Sequence, residues 1–191
     1  MTSAELIADT NIVSYLFRNS VLGTNYRCLI GDCPIGITSL SLEELYYGAA
    51  LNRWGDAKRQ RLDSFLKDFV IVQWQPEVAE ICGSLRAERR RVGRPIELAD
   101  AWVAATALWN DIPVVTHDRD LEAIPGLRVV TLHDGWQIRG TSSAGAGSVY
   151  SRSFGHRVGA VLESRGPCLV GRRLHHEVEL AARQDLLMAD E

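Results

Sequence analysis

The opening segment Leu6-Ile7-Ala8-Asp9-Thr10-Asn11 constrains this chain most: a short apolar run ends abruptly in a carboxylate and two small polar residues. It reads as a buried first strand that delivers an acid to its C-terminal end. The pattern returns at Ile112-Pro113-Val114-Val115-Thr116, where a β-branched core runs into His117-Asp118-Arg119-Asp120. Between the two lie Ser41-Leu42-Glu43-Glu44-Leu45 and Glu97-Leu98-Ala99-Asp100-Ala101, each with an acid where an apolar helical pattern begins. If the sheet is parallel, strand C-termini and the helix N-termini that follow them lie along one edge, where open α/β sheets build their sites. Acids far apart in sequence then meet.

The rest of the chain supplies alternating elements. Ile12, Val13, Leu16 and Phe17 recur at helical spacing, which predicts a helix from just past Asp9 to about Arg18. A second short helix is expected over 22–30, closed by Gly31-Asp32-Cys33-Pro34, and then a strand over 35–38. Leu42, Leu45, Tyr46 and Ala49 are helically spaced, and Ser41-x-x-Glu44 fits a capping box. An amphipathic helix is expected over 54–69, a brief strand over 70–72, and a helix opened by Pro76 with Val78, Ile81 and Leu85 facing inward. That helix ends in an arginine-rich stretch with Gly93 as cap and Pro95 as stop. The alanine-rich stretch 98–108 suits a helix lying close against a sheet. Asp118 would cap a short helix through Ile124, Pro125-Gly126 turns the chain, and 127–132 is expected to be the last strand.

At 191 residues, 46% hydrophobic and 24% charged, the chain has material for one real core. A net charge of -3 leaves a nucleic-acid partner open, because a local basic patch can work on a mildly acidic protein. No apolar run reaches the ~18 residues of a spanning helix, and Met1 to Glu5 has no signal-peptide character, so a soluble cytoplasmic protein without membrane association is expected. Cys28, Cys33, Cys82 and Cys168 lack zinc-type spacing and are read as packing residues; a Cys28–Cys33 crosslink has nothing to support it. After Gly140 the stretch Thr141-Ser142-Ser143-Ala144-Gly145-Ala146-Gly147-Ser148 is linker-like. We therefore expect a domain over 1–140 and an appendage over 141–191, partly disordered, with a strand pair over 158–170 and a terminal helix over 174–188 as its candidate elements.

Each of Asp9, Glu44, Asp100 and Asp118 has an ordinary reading as a favourable acid at a helix start. Their joint placement points further. Carboxylates gathered on one edge repel and raise one another's pKa unless a cation neutralises them. Oxygen-only ligands favour Mg²⁺ or Mn²⁺, and such a cluster suits phosphodiester hydrolysis. The arginines Arg89, Arg90, Arg91 and Arg94 are either a solvated helix end or a rim that binds phosphates.

Asp9-Thr10-Asn11, Glu44-Leu45-Tyr46-Tyr47-Gly48, Asp100-Ala101-Trp102-Val103-Ala104-Ala105-Thr106-Ala107 and Val115-Thr116-His117-Asp118-Arg119-Asp120-Leu121 follow in this order. Together they resemble PIN-domain ribonucleases of the VapC toxin type. Ile124-Pro125-Gly126-Leu127-Arg128-Val129 followed by Trp136 resembles the closing segment of that family. The likeness covers residues 4 to about 138, and toxins of this type usually stop close to the position of Trp136. It implies an α/β, PIN-like fold with a central parallel sheet flanked by helices. It also implies Mg²⁺-dependent cleavage of RNA, a cognate antitoxin that blocks the site, and a homodimer. Carried over by position, Asp9 and Asp100 are the principal metal ligands, and Glu44 and Asp118 complete the acidic site. Asn11 and Thr116 are polar neighbours that orient ligands or water. Asp120 is an acid just behind them and a rival to Asp118, and His117 receives no role.

Two other classes compete with this reading. A PIN-like module that holds RNA or a protein without cutting has the same acids. A phosphatase with Asp9 as nucleophile is disfavoured, because Thr10-Asn11 follows and no second acid stands two residues on. Metal-dependent cleavage of RNA, set against a simple phosphate ester, separates all three.

Overall fold

The computed structural model describes residues 4–133 and the backbone of a strand at 137–140. The elements expected over 158–170 and 174–188 lie outside the described residues. In chain order the elements are β1 (Leu6–Ala8), α1 (Thr10–Arg18), α2 (Val21–Ile30), β2 (Ile35–Thr38), α3 (Ser39–Leu51), α4 (Asp56–Leu66) and β3 (Val70–Val72). There follow α5 (Pro76–Arg91), α6 (Leu98–Asn110), β4 (Val114–Val115), α7 (Arg119–Glu122), β5 (Arg128–Thr131) and β6 (Gln137–Gly140).

The strands form one sheet in the order β3-β2-β1-β4-β5-β6, parallel from β3 through β5. β1 is central, and its three residues are buried on both faces, as a parallel strand covered by helices requires. Side chains alternate between the two sides. Leu6, Ala8, Val115 and Val130 join one core with Ile12, Leu16, Leu29, Leu45 and Leu62 from α1 to α4. Ile7, Val114 and Val129 join the other with Leu85, Val103, Ala104 and Leu121 from α5 to α7. The alanines 101, 104, 105 and 107 of α6 are buried, and their small size lets that helix lie against β1, β2 and β4.

Four local expectations need correction. α3 begins at Ser39, with the Thr38 hydroxyl accepting from the Ser41 amide, so Ser41 is already inside the helix and cannot open a capping box. The helix expected over 54–69 is only Asp56–Leu66, because Trp54 leaves the helix path to stack on Phe17 at 5.6 Å. β5 is not the last strand: β6 pairs with it antiparallel, Arg128 opposite Gly140 and Thr131 opposite Gln137. Cys82 is buried as a packing residue, whereas Cys28 is exposed.

Two contacts seat α2, the helix that carries Tyr26, against its neighbour. Ser20 caps α2 by accepting from the Gly23 amide at 3.0 Å, and its hydroxyl donates to the Tyr15 carbonyl of α1 at 3.3 Å. At Gly23, a Cβ would stand 2.1 Å from the Tyr15 carbonyl oxygen, so only glycine lets α2 close onto the backbone of α1.

Candidate active site

Asp9 is the residue at which β1 passes into α1, and it occupies the N-cap position without making a side-chain capping bond. Its carboxylate turns instead to the neighbouring strand end. The Thr116 hydroxyl donates to Asp9 Oδ2 at 2.8 Å, and the Asn11 amide lies 3.5 Å from the same oxygen. Asp9 is 1% exposed. Burial pushes its pKa up, against the opposing pull of the Thr116 hydroxyl and the Thr10 amide, and the charge of Asp118 adds to the rise.

The other acids arrive from three further elements. Glu44 lies on α3, where its Oε2 accepts from the Thr10 hydroxyl at 2.6 Å. Asp100 stands in the first turn of α6, behind an N-cap residue, Glu97, that makes no side-chain capping bond. Asp118 is a true cap: it accepts from the Asp120 amide at 2.9 Å and opens α7. A side-chain capping bond is therefore made by Asp118, whereas Asp9, though at the N-cap position, engages Thr116, and Glu44, inside α3, engages Thr10.

The charges converge on Asp100, whose pKa is pushed up to about 7, first by burial and then by the charges of Asp9, Asp118, Glu44 and Glu97. The four acids singled out in the sequence thus gather at one edge, Asp9 and Asp118 past the C-terminal ends of β1 and β4, Asp100 in the first turn of α6 and Glu44 in the second turn of α3. Glu97 and Thr10 are contributors the sequence did not flag. Both stand within the acid-bearing segments, but neither spacing nor residue type distinguishes them from their neighbours.

The remaining candidates fall around this edge. Thr116 is fully buried, and its hydroxyl spans two acids, donating to Asp9 while accepting from the Asp118 amide at 2.9 Å. Asp120 is exposed and lies 3.6 Å from Arg89 Nη2. Arg89 differs from the rest of its run: it is buried, with Nε and Nη2 lacking hydrogen-bond partners, while Arg90, Arg91 and Arg94 are exposed. A surface contact to phosphate suits the latter three, not Arg89.

The donor set fits a hard divalent cation, because carboxylate oxygens converge with excess negative charge. Among the described residues no three acids, histidines or cysteines form a ready-made cage. Mg²⁺ is a hard divalent cation of this kind: it takes oxygen ligands, keeps several waters and is commonly held through one or two carboxylates and substrate phosphates.

The model of the PIN domain matches residues 6–127, a span that holds all four acids. The chain belongs to the PIN domain family. Among curated relatives of this PIN domain, the tRNA(fMet)-specific endonuclease VapC of Shigella flexneri is 27% identical over 125 residues, 65% of this chain and 95% of that protein. Ribonuclease VapC2 of Haemophilus influenzae is 29% identical over 121 residues, 63% of this chain and 92% of its own length. Among solved structures, VapBC2 of Rickettsia felis bound to a promoter DNA fragment matches with a TM-score of 0.59 at 25% identity, covering 69% of this chain and 98% of that one. DNA-bound VapBC of Salmonella typhimurium matches with a TM-score of 0.57 at 27% identity, covering 68% and 98%. The expected PIN-like sheet and the VapC resemblance are both borne out. No helix among the described residues is long and apolar enough to cross a membrane.

Proposed function

We propose that this PIN domain is a Mg²⁺- or Mn²⁺-dependent endoribonuclease, the toxin of a toxin–antitoxin pair. The observation that carries the reading is the gathering of carboxylates from four elements: burial lifts Asp100 to about 7, and the charges of Asp9, Asp118 and Glu44 add to the rise. Helix capping needs no such convergence, and without a cation it is destabilising. The names of the relatives, ribonuclease and endonuclease, support the nuclease reading. The solved toxin–antitoxin complexes among the structural neighbours support a cognate antitoxin as partner.

In this reading Asp9 and Asp100 are the principal ligands, with Glu44 and Asp118 completing the site. When bound, the cation polarises the phosphoryl oxygens and lowers the pKa of water. Thr116 and Asn11 orient the Asp9 carboxylate, and Thr10 orients Glu44. Residues 1–140 form the nuclease unit, 141–191 are an appendage to it, and the toxin works in the cytoplasm as a homodimer.

The deciding experiment incubates RNA with protein shown free of contaminating nuclease. Cleavage is expected with Mg²⁺ or Mn²⁺ and not with chelator, and a simple phosphate ester is expected to survive. Full activity in chelator would refute the metal mechanism. RNA bound but never cut would return the protein to the non-catalytic class.

The exposed Arg90, Arg91 and Arg94 are proposed to contact RNA phosphates beside the acid edge. Each phosphate contact releases counterions, so neutralising one arginine should flatten the dependence of log affinity on log salt by roughly one unit of slope. Filter binding across a salt series checks this, and an unchanged slope for all three would leave them as a solvated helix end.

A further inference from the structure

We propose that Tyr26 is a positioning residue for the acid site, acting on Asp9 and Asp118 through Thr116; the inference rests on reading those acids as a metal site. Tyr26 is fully buried on α2, far from the acids in sequence. Its hydroxyl donates to the Thr116 carbonyl at 2.9 Å and accepts from the Leu132 amide at 3.3 Å. His117 Nδ1 lies 2.9 Å from the same oxygen. Burial pushes the phenol pKa up, against the Thr131 and Leu132 donors, so it stays a protonated donor.

The place of this hydroxyl in the sheet gives it its role. In a parallel ladder one residue donates to one partner and accepts from the residue two further along the neighbouring strand. The Thr116 amide donates to the Val130 carbonyl at 3.2 Å, so the next rung would run from the Leu132 amide to the Thr116 carbonyl. Tyr26 occupies that rung. Its hydroxyl stands between amide and carbonyl, spacing β5 from the chain that leaves β4, and it fixes the Thr116 backbone at that spacing. The Thr116 side chain then donates to Asp9 and accepts from the Asp118 amide. One threonine thus carries the position of the phenol to two acids.

The test measures binding of Mn²⁺ alone by calorimetry, without RNA, for wild type, Tyr26→Phe, Thr116→Val and the double variant. Partners outside the direct ligands typically contribute tenfold or more to metal affinity, so Tyr26→Phe is expected to weaken Mn²⁺ binding by about tenfold. The double variant should bind no worse than Thr116→Val, since the phenol acts through the threonine. A wild-type Kd for Tyr26→Phe overturns the proposal, even where its melting temperature falls, and so do losses that multiply in the double variant. Should Tyr26→Phe not fold, 4-fluorophenylalanine at this position keeps the ring and fills the hydroxyl's place without a proton to donate to Thr116, and is expected to weaken Mn²⁺ binding in the same direction; a wild-type Kd there overturns the proposal. Wild-type protein that binds no Mn²⁺ would overturn the metal-site reading itself and this inference with it. Wild-type protein that binds Mn²⁺ but leaves RNA intact would overturn only the nuclease reading, and the Kd comparison would still decide the role of Tyr26.

Discussion

Asp9→Asn is expected to lower kcat/KM for RNA cleavage by about 10³-fold, roughly 4 kcal/mol of transition-state stabilisation, while leaving the fold intact. Asparagine keeps the shape of the side chain and an oxygen for the Thr116 hydroxyl, so the buried hydrogen bond survives. What disappears is the charge that would hold a cation. Because burial already disfavours the ionised form of Asp9, removing that charge should leave the metal-free protein as stable as wild type or more so. Steady-state kinetics and thermal unfolding in chelator check the two halves separately. Cleavage at the wild-type rate would remove Asp9 from the ligand set.

The second large effect is on stability and needs no substrate. Asp100 titrates at about 7 in the folded protein, against 3.8 for an ordinary aspartate. Between those values the folded state keeps a proton that the unfolded state has released, so in chelator stability should fall as pH rises from about 4 to about 7. A tenfold change in proton affinity is worth about 1.4 kcal/mol; allowing for screening at a half-buried group, the loss is on the order of 2 kcal/mol. Asp100→Asn cannot ionise. Without metal it should flatten this decline and be neutral or stabilising at pH 7. Saturating Mg²⁺ should stabilise wild type by RT ln(1 + [L]/Kd), about 2.7 kcal/mol at a hundredfold excess over Kd, and give the variant little. In melting temperature that is a gain of about 5–10 °C for a domain of this size. An ordinary helix-start acid costs ~1 kcal/mol to lose whether or not metal is present. If the variant melts lower by the same amount in chelator and in Mg²⁺, Asp100 is only such an acid.

The strand-then-acid pattern was legible because it is written locally. Leu6 to Ala8 and Val114-Val115 are β-branched or apolar runs, and parallel topology alone brings their following acids to one edge. The helix-cap alternative could not be decided locally, since the oxygen that engages Asp9 belongs to Thr116 and the hydroxyl that engages Glu44 belongs to Thr10. Arg89 was indistinguishable in sequence from Arg90 and Arg91, yet the turn of α5 puts it inside and the others outside. Tyr26 carried no signal either. Its function comes from a rung missing between two strands roughly ninety and more residues away, as the separations of its partners show. Gln137-Ile138-Arg139-Gly140 has too few apolar residues to read as a strand, and its pairing with β5 is what defines β6.

The antiparallel course of β6 fixes where the rest of the chain begins. Gly140 lies opposite Arg128, the first residue of β5, so the polypeptide leaves the sheet at the edge remote from the carboxylates. The strand ends facing the acids stand three residues away along β5, about 10 Å at the rise of an extended strand. A purification tag or a fluorophore attached directly at Gly140 is therefore rooted at the sheet edge opposite the one that carries Asp9.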